Sequence, residues 1–473
     1  MRMRGPTAQG HGESTELAAG SIGLWRALAM PVSTQAPLAG AALVPATMAA
    51  VTGGPGLLSF LLGIAAGGFL ALIYSKLATR VVSAGGDYAF ATFLVGPTFG
   101  FITGWAWLIA MLTGTGCVVS QTADYFTAAV EQNFHVSIGG AWWVLPAVVA
   151  WCIAVYMLSR RVSVSTTVLL VLELLSTALL IVSGLIVLAR GGYAGHSFNV
   201  SYFSIAKGQS VGQVILGVAI AWAGFGGFQN AAYGGEETQL PRRAVPVTIW
   251  ISLLWAGLIY TFGAWVSVVG FKDPAALAAA PTPLFTSVHR YGSPALGDIL
   301  AFTATLSAFA SIGGNATSGT RLLYAFGRDG FLGRRFIHTH ATEKSPIEAI
   351  RYYLPVALLL SIGFFWTDPA TAFNYVVTVD GYLITVTYAL IAVGAIYYFT
   401  RQRSPGYALV AAIGGAIAGY SLYSSLSPVP AYPYNLLIYC AAFIMLCGIL
   451  WVTLDSGLRK SMADGRAAIV ESA

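Results

Sequence analysis

Two stretches of this sequence place polar groups and helix-breaking residues where an apolar helix would otherwise run. The first reads Met30-Pro31-Val32-Ser33-Thr34-Gln35-Ala36-Pro37-Leu38-Ala39-Gly40, the second Trp222-Ala223-Gly224-Phe225-Gly226-Gly227-Phe228-Gln229. Two prolines six positions apart, with three polar side chains between them, do not propagate an unbroken helix. Each of the three glycines in the second stretch costs roughly 1 kcal/mol of helix stability. A broken helix frees backbone groups. Its N–H groups, at the positive end of a half-helix dipole, hold an anion, and its carbonyls hold a cation or an ammonium group. Two facing breaks therefore offer both halves of the chemistry a zwitterion needs. Taken singly, each is explained as well by a proline kink or by close glycine packing between helices.

Further ionisable residues lie inside apolar runs. Glu173 is twelve residues beyond Arg161, about 18 Å along a helix. An acid at the membrane centre costs about 2.5–3.5 kcal/mol on insertion scales, so a working role is the default expectation. It is placed to load and release a proton; the plainer alternative is a protonated acid bonded to a neighbouring helix. Asp380, 21 residues before Arg401, falls near the edge of its run and reads equally as a solvated helix-end acid or a site residue. Glu236 and Glu237, near Arg242 and Arg243, suit ion pairs in a loop or gate. The six histidines lack ligand spacing, and no H-E-x-x-H, G-x-S-x-G or P-loop occurs. No metal, cofactor or enzymatic activity is expected. Cys117, Cys152, Cys440 and Cys447 all sit in apolar stretches and read as buried thiols without a disulfide framework.

These residues need elements to hold them, and the composition names the solvent. Of 473 residues, 57% are apolar and 9% charged, with a mean hydropathy of +0.74. A soluble domain carries about a quarter charged residues. Runs long enough to cross the ~30 Å hydrocarbon core lie near 25–49, 57–79, 97–126, 141–158, 164–189, 210–235, 246–270, 294–327, 350–367, 371–399, 406–424 and 432–455. They are apolar on every face, as helices are and barrel strands are not. With the N-terminus in the cytoplasm, twenty of the 24 Lys and Arg fall on cytoplasmic segments; Arg190, Lys207, Lys272 and Arg290 stay outside. That bias makes the +6 charge a topology signal and argues against a nucleic-acid partner. Residues 1–24 and 456–473 read as short solvated cytoplasmic ends without a cleavable leader. Trp25, Trp142, Trp143 and Trp366 near span ends read as interfacial anchors in lipid. Breaks in the first and sixth spans, five spans apart, are what an inverted five-helix repeat shows.

Several ordered motifs are similar to those of the amino acid–polyamine–organocation (APC) superfamily of permeases. Ser83-Ala84-Gly85-Gly86-Asp87-Tyr88 with Gly96-Pro97 and Gly104-Trp105 resembles the entry to its third helix. Phe225 to Gln229 through Glu236-Glu237 and Pro241-Arg242-Arg243-Ala244-Val245-Pro246 resembles its sixth helix and following loop. Arg321-Leu322-Leu323-Tyr324-Ala325-Phe326-Gly327-Arg328-Asp329-Gly330 resembles the end of its eighth. The resemblance spans roughly residues 25–400. It implies an all-α membrane protein of twelve helices with a LeuT-like 5+5 inverted repeat. Residues 25–192 and 208–400 would be the repeats, Ser33–Gly40 and Gly224–Gly227 their unwound segments, and 401–455 two added helices.

The same resemblance implies a substrate site at Ser33, Gln35, Ala36, Leu38, Ala39, Gly40, Trp222, Ala223, Gly224, Phe225, Gly226 and Gly227, with Trp107, Thr115 and Asn315 on neighbouring helices. Depth and neighbouring arginines assign coupling or gating to Glu173, Glu236 and Glu237, and the resemblance adds Gln229, Thr317 and Ser318, the last two as hydroxyls of a sodium site. The sequence departs from the pattern at three places. Leu38-Ala39-Gly40 replaces a Gly-Ser-Gly-like break, which crowds the cradle and removes its hydroxyl. Gln229 stands where Glu is frequent and carries no charge. Asn315 stands where some members have an aromatic. The expectation is a secondary permease of the cytoplasmic membrane that moves an amino acid by alternating access, coupled to protons in preference to sodium. An amine or polyamine permease, or an exchanger, is the alternative; a channel, receptor or intramembrane enzyme is disfavoured.

Overall fold

The computed structural model describes residues 13–134, 136–206, 208–427 and 429–454. Arg2, Arg4, Lys207, Arg459, Lys460, Arg466 and the 456–473 tail lie outside them. The described chain forms helices α1 (Leu24–Gln35), α2 (Pro37–Thr52), α3 (Leu57–Ala78), α4 (Asp87–Leu94), α5 (Pro97–Phe134), α6 (Val144–Leu158), α7 (Val162–Ala189) and α8 (Val211–Gly224). There follow α9 (Pro241–Val269), α10 (Pro274–Ala278), α11 (Pro283–Ser287), α12 (Pro294–Arg328), α13 (Ile347–Ile362), α14 (Pro369–Arg401), α15 (Pro405–Ser424) and α16 (Tyr434–Leu454). Eight of these sixteen begin with proline. That position needs no N–H and takes the ring's fixed φ without strain. Side-chain caps reinforce several starts: Ser210 with Gln213 on α8, Asp273 on α10, Ser293 on α12 and Asp368 on α14.

Among the described residues, ten helical stretches are long and apolar enough to cross a membrane, α1 with α2 counting as one. Two of the twelve expected spans are shorter. The sixth stops as an α-helix at Gly224, and the ninth is the 16-residue α13. The pattern is inside-out relative to a soluble protein. On α7 the acid Glu173 and the hydroxyls of Ser176 and Ser183 are buried, while Val168, Val171, Leu174, Leu175, Val182 and Leu185 face outward. Small residues set the close approaches between helices. A Cβ on Gly314 of α12 would lie 2.5 Å from the Thr34 nitrogen of α1.

Three expectations are corrected here. The N-terminal segment is no free tail from residue 13 onward. Strand β1 (Glu13–Ser14) pairs antiparallel with β2 (Thr339–His340), and Ile22 exchanges backbone hydrogen bonds with Glu237 and Gln239. Leu17 and Ile22 are buried, and burial holds the segment down. Only Cys117 is a buried thiol; Cys152, Cys440 and Cys447 lie on the outer surface of their helices, where apolar sequence means contact with lipid. Trp25, Trp142 and Trp366 are exposed, but Trp143 is buried and donates to Thr367 O at 2.9 Å, an internal tie between segments.

Candidate functional site

The first break occupies one residue. Ala36 has φ +42°, and Pro37 follows as the first residue of α2. A residue before proline is disfavoured in the α region, so Ala36 leaves the helix. Ser33, Thr34 and Gln35 remain in α1, and Leu38, Ala39 and Gly40 in α2, a narrower interruption than the expected Ser33–Gly40. The hydroxyls explain this: Ser33 donates back to Ala29 O and Thr34 to Met30 O, satisfying themselves within the helix.

The second break runs from Phe225 to Gln229, displaced by one or two residues from the expected Gly224–Gly227. Beyond it a 3₁₀ turn spans Asn230–Glu237. The Phe225 and Gly226 amides donate to Trp222 O and Ala223 O, tightening the last turn of α8. Gly227 then takes φ +91°, and a Cβ there would lie 2.4 Å from Thr34 Cγ2. The breaks touch. Gln35 Nε2 donates to Phe225 O at 2.8 Å, and Asn230 Nδ2 to Thr34 Oγ1 at 2.8 Å. Neighbouring helices fix the first break: Tyr260 of α9 donates to Gln35 O at 2.7 Å, and Ser311 of α12 to Thr34 O at 3.0 Å.

A cavity of about 170 Å³ lies against both breaks. Gln35, Ala36 and Gly40 line one side, and Ala223, Gly224 and Gly226 another. Met111, Gly114, Cys117 and Gln121 of α5, Tyr260, Ser311, Asn315, and Asp380 and Ile384 of α14 complete it. It shares Leu43, Gln121 and Phe373 with a vestibule of about 700 Å³ that reaches Asp124, His289 and Arg290. A cavity of about 150 Å³ holds a six-atom ring, so the space suits a small organic solute.

Toward the opposite end, the one bearing Arg321 and Arg328, side chains close the bundle in two layers. Aromatic rings form the first. Trp107 lies over Tyr233 with centroids 6.5 Å apart, and Trp222 meets Tyr388 at 5.2 Å. Asp87 anchors this layer, accepting from Tyr74 and, at 2.7 Å, from Tyr233. Gln229 donates to Asp87 at 3.5 Å and accepts from Tyr388 at 2.9 Å. Ion pairs form the second. Arg321 meets Glu237 at 2.5 Å, fully buried, and Arg328 meets Glu236 at 2.7 Å. The acids flagged beside Arg242 and Arg243 thus reach across to α12.

Of the site residues expected from sequence, the structure brings Gln35, Ala36, Gly40, Ala223, Gly224, Gly226 and Asn315 to the cavity. Others lie elsewhere. Leu38 and Ala39 are fully buried in the core. Ser33 is committed to its own helix. Phe225 packs on Tyr260, and Gly227 donates its amide to the Tyr388 hydroxyl at 3.0 Å. Trp107 and Trp222 belong to the aromatic closure. Thr115 bonds Met111 O and the Tyr353 hydroxyl of α13. Glu173 is fully buried, with both carboxylate oxygens in reach of the Ser307 hydroxyl at 3.1–3.2 Å, and does not line the cavity. Thr317 Oγ1 is buried without a partner, and Ser318 donates to Gly314 O at 3.3 Å.

Asp380 is no solvated helix-end acid: it is the twelfth residue of a 33-residue helix, buried, and lines the cavity. The α5 stripe Met111, Gly114, Val118 and Gln121 went unread; its helical spacing was a signal, but only with one member already known.

Residues 22–454 match the family described as amino acid permease. The chain belongs to that family. The permease is accordingly a multi-pass integral membrane protein of the APC superfamily, a transporter and not an enzyme. It is 27% identical over 309 residues to the branched-chain amino acid permease BcaP of Lactococcus lactis subsp. cremoris, covering 61% of this chain and 64% of that one. It is 26% identical over 348 residues to the low-affinity putrescine importer PlaP of Escherichia coli K12, covering 71% and 72%. To the human large neutral amino acids transporter small subunit 2 it is 24% identical over 328 residues, covering 67% and 59%.

Proposed function

We propose that this permease is a secondary transporter that carries a small amine-bearing solute, in the first instance an amino acid, across the cytoplasmic membrane by alternating access. One observation carries the reading: the cavity at the facing breaks adjoins a vestibule at one end of the bundle and is closed by the aromatic and ionic layers at the other. Non-helical backbone at membrane depth is tolerated where it lines a cavity, and paired breaks mark transporter binding sites. On this reading the vestibule faces outside and the basic end faces the cytoplasm, with both termini. Twelve crossings result when α8 with its 3₁₀ continuation and α13 join the ten long stretches. Residues 25–192 and 208–400 are then inverted repeats, and 401–455 the two added spans. The relatives' names, which cover branched-chain and large neutral amino acids and putrescine, support an amine-bearing solute and keep an amine or polyamine permease, or an exchanger, as the second reading.

Uptake by proteoliposomes tests the function, with thermal stabilisation of the purified chain as the binding readout, since a bound solute stabilises by mass action. Coupling is assigned to Glu173, whose carboxyl is buried between α7 and α12 and bonded to Ser307. Glu173→Gln is expected to lower pH-gradient-driven accumulation by about ten-fold or more while binding changes by less than about three-fold. Sodium coupling is favoured by a different observation, the unpartnered Thr317 hydroxyl on α12. If uptake requires sodium, Glu173→Gln keeps full accumulation and Thr317→Ala loses it, the proton assignment is wrong.

A further inference from the structure

Among the described residues, Asp380 is the only charged side chain lining the cavity at the breaks. It is nine-tenths buried, and its Oδ1 has no hydrogen-bond partner. A Cβ on Gly114 would lie 3.3 Å from Asp380 Oδ1 and 3.5 Å from Asn315 Oδ1, so the two side chains converge on the space that this glycine leaves open. One other polar side-chain atom of the cavity lining is buried without a partner, Gln35 Oε1. Its assignment as the amide oxygen is settled by the amide nitrogen, which donates to Phe225 O. Both unpartnered atoms are acceptors. The helix ends add to the same sign: α1 and α8 end at the breaks with their negative poles, while of the positive poles that of α2 adjoins the cavity and that of the 3₁₀ turn begins at Asn230, which does not line it. The first residue of α2, Pro37, has no N–H to offer.

An ionised carboxylate out of water needs a counter-charge, and no cationic side chain among the described residues lines this cavity. We propose that Asp380 binds the ammonium group of the transported solute and selects compact organic cations, a diamine or a cationic amino acid, over neutral amino acids. Gln35 Oε1 receives a second donor of the same solute. This deepens the permease reading and rests on it. Net charge distinguishes such solutes: a cationic amino acid or a diamine neutralises the Asp380 carboxylate, whereas a zwitterionic neutral amino acid brings its own negative charge with its ammonium and leaves one charge uncompensated.

The test is isothermal titration of the purified full-length permease in lipid nanodiscs with putrescine, lysine and leucine. The wild type is expected to bind putrescine and lysine at least about ten-fold tighter than leucine, the scale of a charge-assisted hydrogen bond. Asp380→Asn is expected to weaken both cations by about thirty-fold and leave leucine within about three-fold, while Asp380→Glu retains the cation preference. The wild-type ranking decides without any variant, should Asp380→Asn fail to fold. Leucine binding as tightly as the cations, or a cation preference that survives in Asp380→Asn, overturns the role of Asp380 and leaves the permease reading intact. Binding of none of the three, with no uptake, overturns both.

Discussion

Gly40→Ala is expected to abolish uptake and to destabilise the protein by about 2–4 kcal/mol, the sum of overpacking and a lost buried hydrogen bond. A Cβ at this position would lie 1.9 Å from the Tyr260 hydroxyl and 2.2 Å from its ring. The atom in the way is not a free side-chain end. Tyr260 donates to Gln35 O at 2.7 Å and packs on Phe225 with centroids 5.7 Å apart, so it ties the two breaks together across the cavity. Displacing it leaves the last carbonyl of α1 without its donor and moves both walls of the site. Gly226→Ala gives the contrast. Its Cβ would meet Ala223 O at 3.0 Å and Ile384 at 3.4 Å, contacts that small shifts relieve, and a loss of under about 1.5 kcal/mol is expected. Thermal unfolding and proteoliposome uptake of the two variants check this. In a Tyr260→Ala background Gly40→Ala should cost little more, since residues in contact are non-additive. Wild-type stability and uptake in Gly40→Ala would disprove the clamp.

Breaks were legible in the sequence because proline and glycine carry their conformational limits with them. Their extents were not. Ser33 and Thr34 look like interruptions on paper, yet their hydroxyls bond back within α1 and let the helix run to Gln35. The displaced second break reflects tertiary ties that no local pattern reveals: Thr34 beside Gly227, and Tyr388 accepting its amide.

Asp380 was misplaced by a count of depth from Arg401. That count treats the helix as ending at the membrane surface, but α14 has 33 residues, about 50 Å at 1.5 Å per residue, and overshoots a ~30 Å core. The resemblance misassigned Thr115 by one position. Gly114 faces the cavity, and the next residue on a helix points some 100° away, here toward Tyr353 of α13. Trp107 keeps the rotational face of Met111 but sits one turn farther down, beneath the cavity. The strap formed by residues 13–22 depends on pairing across more than 200 positions, which sequence periodicity does not report.

The closed basic end leads to the second large effect. Arg321 and Glu237 form a 2.5 Å pair whose side chains are 5% and 1% exposed, and Arg321 also donates to Thr317 O at 3.2 Å. Breaking such a pair from one side strands a buried charge, at about 3–5 kcal/mol, whereas neutralising both partners costs far less. Under alternating access the pair exists only while the basic end is shut, so the loss falls on that state alone and shifts the population toward the open one. Glu237→Gln and Arg321→Gln are therefore each expected to lower thermal stability and to expose the cavity from the basic side.

Cys117, which lines the cavity, supplies the reporter for this shift. With Cys152, Cys440 and Cys447 replaced by serine, an impermeant maleimide applied from the basic side should label Cys117 faster in either single variant than in the parent. At a shift of about 1.4 kcal/mol the increase is ten-fold. The double variant Arg321→Gln with Glu237→Gln should recover most of the stability, since no charge is left unpaired. Labelling that stays at the parent rate in both single variants, with full stability, would show that the pair neither seals the basic end nor holds the closed state.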